Sequence, residues 1–245
     1  MFCKSQLKVF KLALGLAFGV WFGSLPLAAI AVEFRPPRRS IPARREGAGT
    51  RGPACVQGEP NLTVLLPSTN LGLTTADYPQ FFWFVPQTRA KFMKFSLFQG
   101  DAQDPMQQLV YEQALDTPTA PGVVRFALPQ AENTSPLQPD RDYFWTVTLV
   151  CQLDDPSKNI HAEGWVQRVS MPPDMAKALT AAAPGDRPRI YAENGYWFET
   201  LASLANLRCE NAGNVALAKS WAELLTSVKL SRLANQPLRQ VCPVK

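Results

Sequence analysis

Leu137-Gln138-Pro139-Asp140-Arg141-Asp142-Tyr143-Phe144-Trp145-Thr146-Val147-Thr148-Leu149-Val150-Cys151 is the stretch that decides the fold. From Tyr143 onward every second residue (Tyr143, Trp145, Val147, Leu149, Cys151) is apolar or aromatic, the period that turns one side of a strand into a core. Working outward, the chain from 61 to 171 consists of similar short runs at 62–66, 80–85, 92–98, 109–114, 123–128, 143–151 and 162–171, separated by proline, glycine and asparagine clusters. Strands at this spacing, with no helical period between them, predict an antiparallel β-sandwich over residues 55–172.

Leu137, Pro139 and Tyr143 also stand in the spacing of a tyrosine corner, in which the tyrosine hydroxyl bonds to backbone upstream of its strand. That spacing, with the Tyr78-Pro79-Gln80-Phe81-Phe82-Trp83 segment as a second strand, resembles fibronectin type III and immunoglobulin-like sandwiches. The expected class is therefore α+β and mainly β, because alanine and leucine at helical spacing follow Met171. Trp197, Leu201, Leu204, Ala205 and Arg208 form one such stripe, and Leu217, Trp221, Leu224, Leu225 and Val228 form another. With Asn214 as the N-cap of the second helix, residues 173–245 predict a short helix and a helical hairpin anchored on the sandwich by Trp197 and Trp221.

The N-terminus carries Lys4, Lys8 and Lys11, an apolar run at 12–22 and the small-x-small triplet Ala29-Ile30-Ala31. These are the parts of a cleavable secretion signal over 1–31; the run is about half the length of a membrane-crossing helix, which needs roughly 20 residues. Export places the protein in the periplasm or outside the cell, with no membrane span left after cleavage. Of the 25 basic residues three belong to the signal, so the mature chain has 22 against 20 acids, or +2. Residues 32–54 hold Arg35, Arg38, Arg39, Arg44 and Arg45 among prolines and glycines, which predicts a disordered linker able to touch an anionic surface. Nucleic acid is not an expected partner of an exported chain.

Cleavage also removes Cys3, leaving four of the five cysteines. An even number in an exported chain points to disulfides. The sandwich topology puts Cys55, just before the first strand, near Cys151 at the end of the sixth; Cys209 is then left for Cys242. With one histidine, His161, and no C-x-x-C pair, a metal site has little to draw on, and no metal or cofactor is expected.

Several short patterns fail on context. Gly47-Ala48-Gly49-Thr50-Arg51-Gly52 spells a dinucleotide fingerprint without the strand and helix that give it meaning. Leu66-Pro67-Ser68-Thr69-Asn70 lacks the C-terminal context of a sorting signal, and two glycosylation sequons, at Asn61 and Asn133, matter only in a eukaryotic secretory route. No nucleophile elbow accompanies His161, so no catalytic residue is assigned. Paired carboxylates drawn from Glu163, Glu193, Asp154 and Asp155 leave an envelope carbohydrate hydrolase as the alternative.

Five blocks resemble one family: 65–74, Phe82-Trp83-Phe84-Val85-Pro86, Tyr143-Phe144-Trp145, 162–169 and Tyr191-Ala192-Glu193-Asn194-Gly195-Tyr196-Trp197. It is the secreted cyanobacterial family known as domain of unknown function 928. The resemblance implies an exported cyanobacterial protein and carries no activity with it. Within the blocks, Glu163, Trp165, Arg168, Tyr191, Glu193 and Tyr196 are the candidate binding residues. They are expected either to joint the helices to the sandwich (Arg168 or Arg189 pairing with Glu163 or Glu193, Trp165 under Trp197) or to line a ligand groove. The expected function is a non-catalytic interaction module of the cell envelope, with a protein or polysaccharide partner.

Overall fold

The computed structural model describes residues 32–47, 55–100, 108–132 and 134–239. The expected signal segment, residues 48–54 of the expected linker and Cys242 lie outside the described residues. Among the described residues ten strands precede four α-helices: β1 (Val56–Gln57), β2 (Thr63–Val64), β3 (Leu71–Thr74), β4 (Gln80–Val85), β5 (Gln87–Thr88), β6 (Phe92–Gln99), β7 (Gln108–Leu115), β8 (Gly122–Ala127), β9 (Arg141–Val150) and β10 (Ile160–Arg168), then α1 (Pro173–Ala181), α2 (Arg187–Glu193), α3 (Trp197–Glu210) and α4 (Val215–Ser227).

The larger sheet has the order β3-β10-β9-β6-β7 and the smaller one β2-β4-β8; β1 and β5 form a short separate pair. All pairings are antiparallel except β3 with β10, which run parallel, a departure from the expected all-antiparallel arrangement. Short β3 lies in a segment whose Gly72 and Thr74-Thr75 read as loop. It becomes a strand because Gly72 lets helix α3 approach: a Cβ there would stand 2.6 Å from the Phe198 ring.

The alternation along β9 buries Tyr143, Trp145, Val147 and Leu149 as its period requires. Their neighbours come from β4 and β6: Phe81 lies 4.9 Å from both the Phe95 and the Trp145 ring centroids. The Tyr143 hydroxyl accepts a 2.8 Å hydrogen bond from the Gln138 backbone N–H, the corner its spacing predicts. β4 is buried on both sides, since Phe82 meets Trp221 of α4 edge-on at 6.5 Å. Trp83, Trp145, Trp197 and Trp221 are all fully buried, and the Trp197 indole N–H donates to the Leu65 carbonyl at 2.7 Å. Aromatic burial on this scale dominates the energetics of such a core.

Asn214 caps α4 by accepting from the Leu217 N–H at 3.2 Å, as its placement predicts. Pro188 sits in the first turn of α2, where proline's missing N–H costs no bond. Cys55 and Cys151 are bonded, with Cα atoms 5.7 Å apart. Cys209 is disulfide-bonded as well.

The linker expected to be disordered is instead an ordered strap over residues 32–47. Val32, Phe34 and Ile41 are buried, Phe34 packs edge-on against Trp197 at 4.7 Å, and Glu46 forms a β-bridge with Thr63. Arginine, proline and glycine composition suggested too little apolar surface. Three well-placed apolar side chains and edge pairing with β2 supply what the average composition hides.

Candidate functional site

The strap crosses the outer side of the larger sheet and is held there by side chains from β9 and β10. The Glu163 backbone N–H donates to the Arg44 carbonyl and the Glu163 carboxylate accepts from the Arg44 N–H, both at 2.9 Å. Trp165, only 3 % exposed, is covered by Ile41 and donates its indole N–H to the Pro42 carbonyl at 3.4 Å. Arg39 grips Asp142 through both guanidinium nitrogens, Nη1 to Oδ1 at 3.0 Å, the two-pronged geometry that makes arginine–carboxylate pairs specific. Arg45 turns inward and donates to the Leu66 and Val228 carbonyls at 3.0 and 3.1 Å; burial lowers its pKa. Arg45 is therefore spent on the fold and is not part of the anionic contact expected of the linker.

The six candidate residues do not form one site. Arg168 donates to the Leu137 carbonyl and pairs with Asp77, so it fastens the turn before β9. It does not pair with Glu163 or Glu193. Arg189 does pair with Glu193, at 3.0 Å, but along one exposed helix as an i,i+4 contact, which fixes nothing to the sheet. Trp165 lies in a cluster with Ile41 and Leu71, apart from Trp197. Tyr191 and Tyr196 pack with Met175, Leu179 and Leu73 between helix and sheet.

The joint between helices and sheet depends on a residue outside the six. Glu199, in the first turn of α3, accepts at one carboxylate oxygen from the Thr74 hydroxyl (2.6 Å), the Thr75 N–H (2.8 Å) and hydroxyl (3.2 Å), and the Ala76 N–H (3.2 Å). It ties the end of β3 to the start of α3. Burial raises the pKa of the Tyr191 and Tyr196 hydroxyls, and the Glu199 carboxylate adds to the shift. Nothing in the local sequence marks Glu199, since an acid in a helix's first turn is ordinary.

The outer face of the larger sheet is different in kind. Register places Trp165 opposite Phe144, and Phe144 opposite Phe98, which in turn faces Leu109 on edge strand β7. The ring centroids are 5.2 Å apart for Trp165 and Phe144 and 6.3 Å for Phe144 and Phe98. Trp165 is covered by the strap, Phe144 and Phe98 are partly exposed, and Leu109 is 51 % exposed. One residue pair further along the strands, a polar cleft of about 330 Å³ is lined by Arg39, Gln99, Gly100, Asp140, Arg141, Asp142 and Gln167. Asp140 has a left-handed backbone (φ 57°), which aspartate tolerates better than most residues, and its turn opens β9 beneath the cleft. The signal for this surface was present in the sequence: Phe144 and Phe98 fall out of phase with the core stripes and so belong outside.

The family model for the Domain of Unknown Function DUF928 matches residues 46–238, most of the chain. The chain belongs to the DUF928 family. No curated protein matches it. Two solved structures do. The sensor domain of the anti-sigma factor RsgI4 from Pseudobacteroides cellulosolvens is 13 % identical with TM-score 0.25, over 47 % of this DUF928 chain and 76 % of that one. Astrotactin-2, a vertebrate-specific perforin-like membrane protein, is 14 % identical with TM-score 0.29, over 74 % of this chain and 35 % of its own. Among the described residues of this DUF928 chain no helix is long and apolar enough to cross a membrane, and no cluster of three or more His, Cys, Asp or Glu is placed to hold a metal ion.

Proposed function

We propose that this DUF928 chain is an exported, non-catalytic module of the cell envelope that binds a polysaccharide on the outer face of its larger sheet. The observation that carries this reading is the polar cleft lying directly against a partly exposed aromatic row. Ligand sites combine apolar and aromatic surface with a few placed polar groups, and here the aromatic row and the polar cleft supply the two parts side by side. Glu163 and Glu193, the carboxylates a hydrolase would pair, have separate partners on separate elements, which favours binding over hydrolysis.

Export rests on the signal-like N-terminus and is supported by the Cys55–Cys151 disulfide, since such bonds persist in oxidising compartments. The cyanobacterial origin rests on the sequence blocks alone. An immunoglobulin-like sandwich is supported by the strand orders β2-β4-β8 and β10-β9-β6-β7, which match its two sheets. Cys242 is the natural partner for Cys209 because it is the one cysteine of the mature chain left over.

Affinity electrophoresis tests the function. The mature chain is expected to be retarded in gels containing purified envelope polysaccharide, and Phe144→Ala is expected to run freely with only a small change in melting temperature. Equal mobility of the wild-type chain with and without polysaccharide contradicts the reading. N-terminal sequencing of the exported protein is expected to begin at Val32.

A further inference from the structure

Resting on the outer face as the binding surface, we infer that the ligand is a neutral polysaccharide, with sugar rings lying on Phe98 and Phe144 and hydroxyls entering the adjoining cleft. The first ground is charge. The cleft lining holds two arginines, Arg39 and Arg141, and two aspartates, Asp140 and Asp142. Asp142 is neutralised in place by the Arg39 fork, and its side chain is only 9 % exposed. With that pair cancelled, Asp140 and Arg141 remain, one of each sign, so neither an anionic nor a cationic polymer finds net opposite charge in the lining. A hydroxyl both donates and accepts, so it suits a lining that holds an acceptor (Asp140), donors (Arg39, Arg141) and two-way amides (Gln99, Gln167).

The second ground is geometry. Asp142 and Phe144 are two residues apart on β9, so their side chains share a face of the sheet. The same spacing sets Gln167 beside Trp165 on β10. Aromatic surface and hydrogen-bonding groups therefore adjoin along the strands, as the apolar C–H faces and hydroxyl rims of a pyranose require. The cleft, at about 330 Å³, sits at the small end of the roughly 300–1,000 Å³ range of ligand pockets, a size for one or two sugar units with the rest of the chain passing over Leu109.

The third ground is what the face lacks for a protein partner. Beyond the aromatic row the next cross-strand rows are mostly polar: Glu163, Thr146, Ser96 and Glu112, then His161, Thr148, Lys94 and Ala114. Ser96 and Lys94 both engage Glu112, at 2.8 and 3.2 Å. The centre of a protein interface is depleted of charged residues, whereas Glu163, Glu112 and Lys94 stand in these rows.

Isothermal titration of the mature chain with laminarin, dextran and hydroxyethylcellulose, and with alginate as the acidic probe, tests the inference. At least one neutral polymer is expected to bind, with affinity changing less than about twofold between roughly 50 and 500 mM NaCl, since screening touches only charged attraction. Gln167→Ala and Phe144→Ala are each expected to weaken binding about tenfold or more, and Glu193→Ala to leave it unchanged. Asp140→Asn serves as the cleft variant if Gln167→Ala does not fold. Binding of alginate alone, lost in high salt and in Phe144→Ala, overturns the neutral class while the outer-face reading stands. Binding of none of the four overturns both.

Discussion

The helix–sheet joint and the outer face are both built on the larger sheet and both touched by the strap, yet they treat polar groups in opposite ways. At the joint, Glu199 gathers four donors on one oxygen and the surrounding side chains are buried. On the outer face, Asp140, Arg141, Gln99 and Gln167 line open space and Phe144 keeps part of its ring exposed. The Glu199 oxygen that accepts these four bonds is structural, because removing it strands their donors, while its other oxygen is buried with no hydrogen-bond partner among the described residues. A polar group left facing a cleft is available to a ligand.

That contrast is open to attack at four points. The largest effect belongs to Trp197→Ala at the joint: losing a fully buried indole and its bond to Leu65 should cost about 3–5 kcal/mol, read as a fall in denaturation midpoint, with sugar binding surviving at low temperature. Glu199→Ala comes next. Removing a carboxylate shared by four donors should cost about 2–3 kcal/mol, and Glu199→Gln should recover part of it, because an amide oxygen still accepts. Phe144→Ala reverses the pattern: thermal melting should shift by no more than about 1 kcal/mol in stability, since part of the ring is already in water, while polysaccharide retention disappears. Smallest of all, Glu193→Ala removes only an exposed i,i+4 pair and should change stability by about 0.5 kcal/mol or less. A large loss from Glu193→Ala would move the joint back to where the sequence pattern placed it.

The sequence made some parts of this molecule legible and hid others for physical reasons. The β9 stripe, the tyrosine corner, the Asn214 cap and the Cys55–Cys151 bond were legible because each depends on local spacing or on simple strand topology. Helix anchoring by Trp197 and Trp221 followed from amphipathic period. The partners of Arg168 and Trp165 did not follow, because the choice among nearby opposite charges and apolar surfaces depends on long-range packing; Arg189 does meet Glu193 as expected, but within one helix. Arg168 found Asp77, distant in sequence. The strap was hidden by its own composition: Val32, Phe34 and Ile41 are too few to mark a segment as folded until the surfaces they meet are known. The cleft was hidden likewise, as it draws on β6, β9, β10 and the strap at once.

The division of labour between joint and face is tested most directly by amide chemical-shift mapping of the labelled mature chain titrated with soluble laminarin oligosaccharides. Shifts are expected to concentrate at Gln99, Asp142, Phe144 and Gln167, with Tyr191, Tyr196 and Glu199 unmoved. Shifts centred on those last three residues would contradict the account.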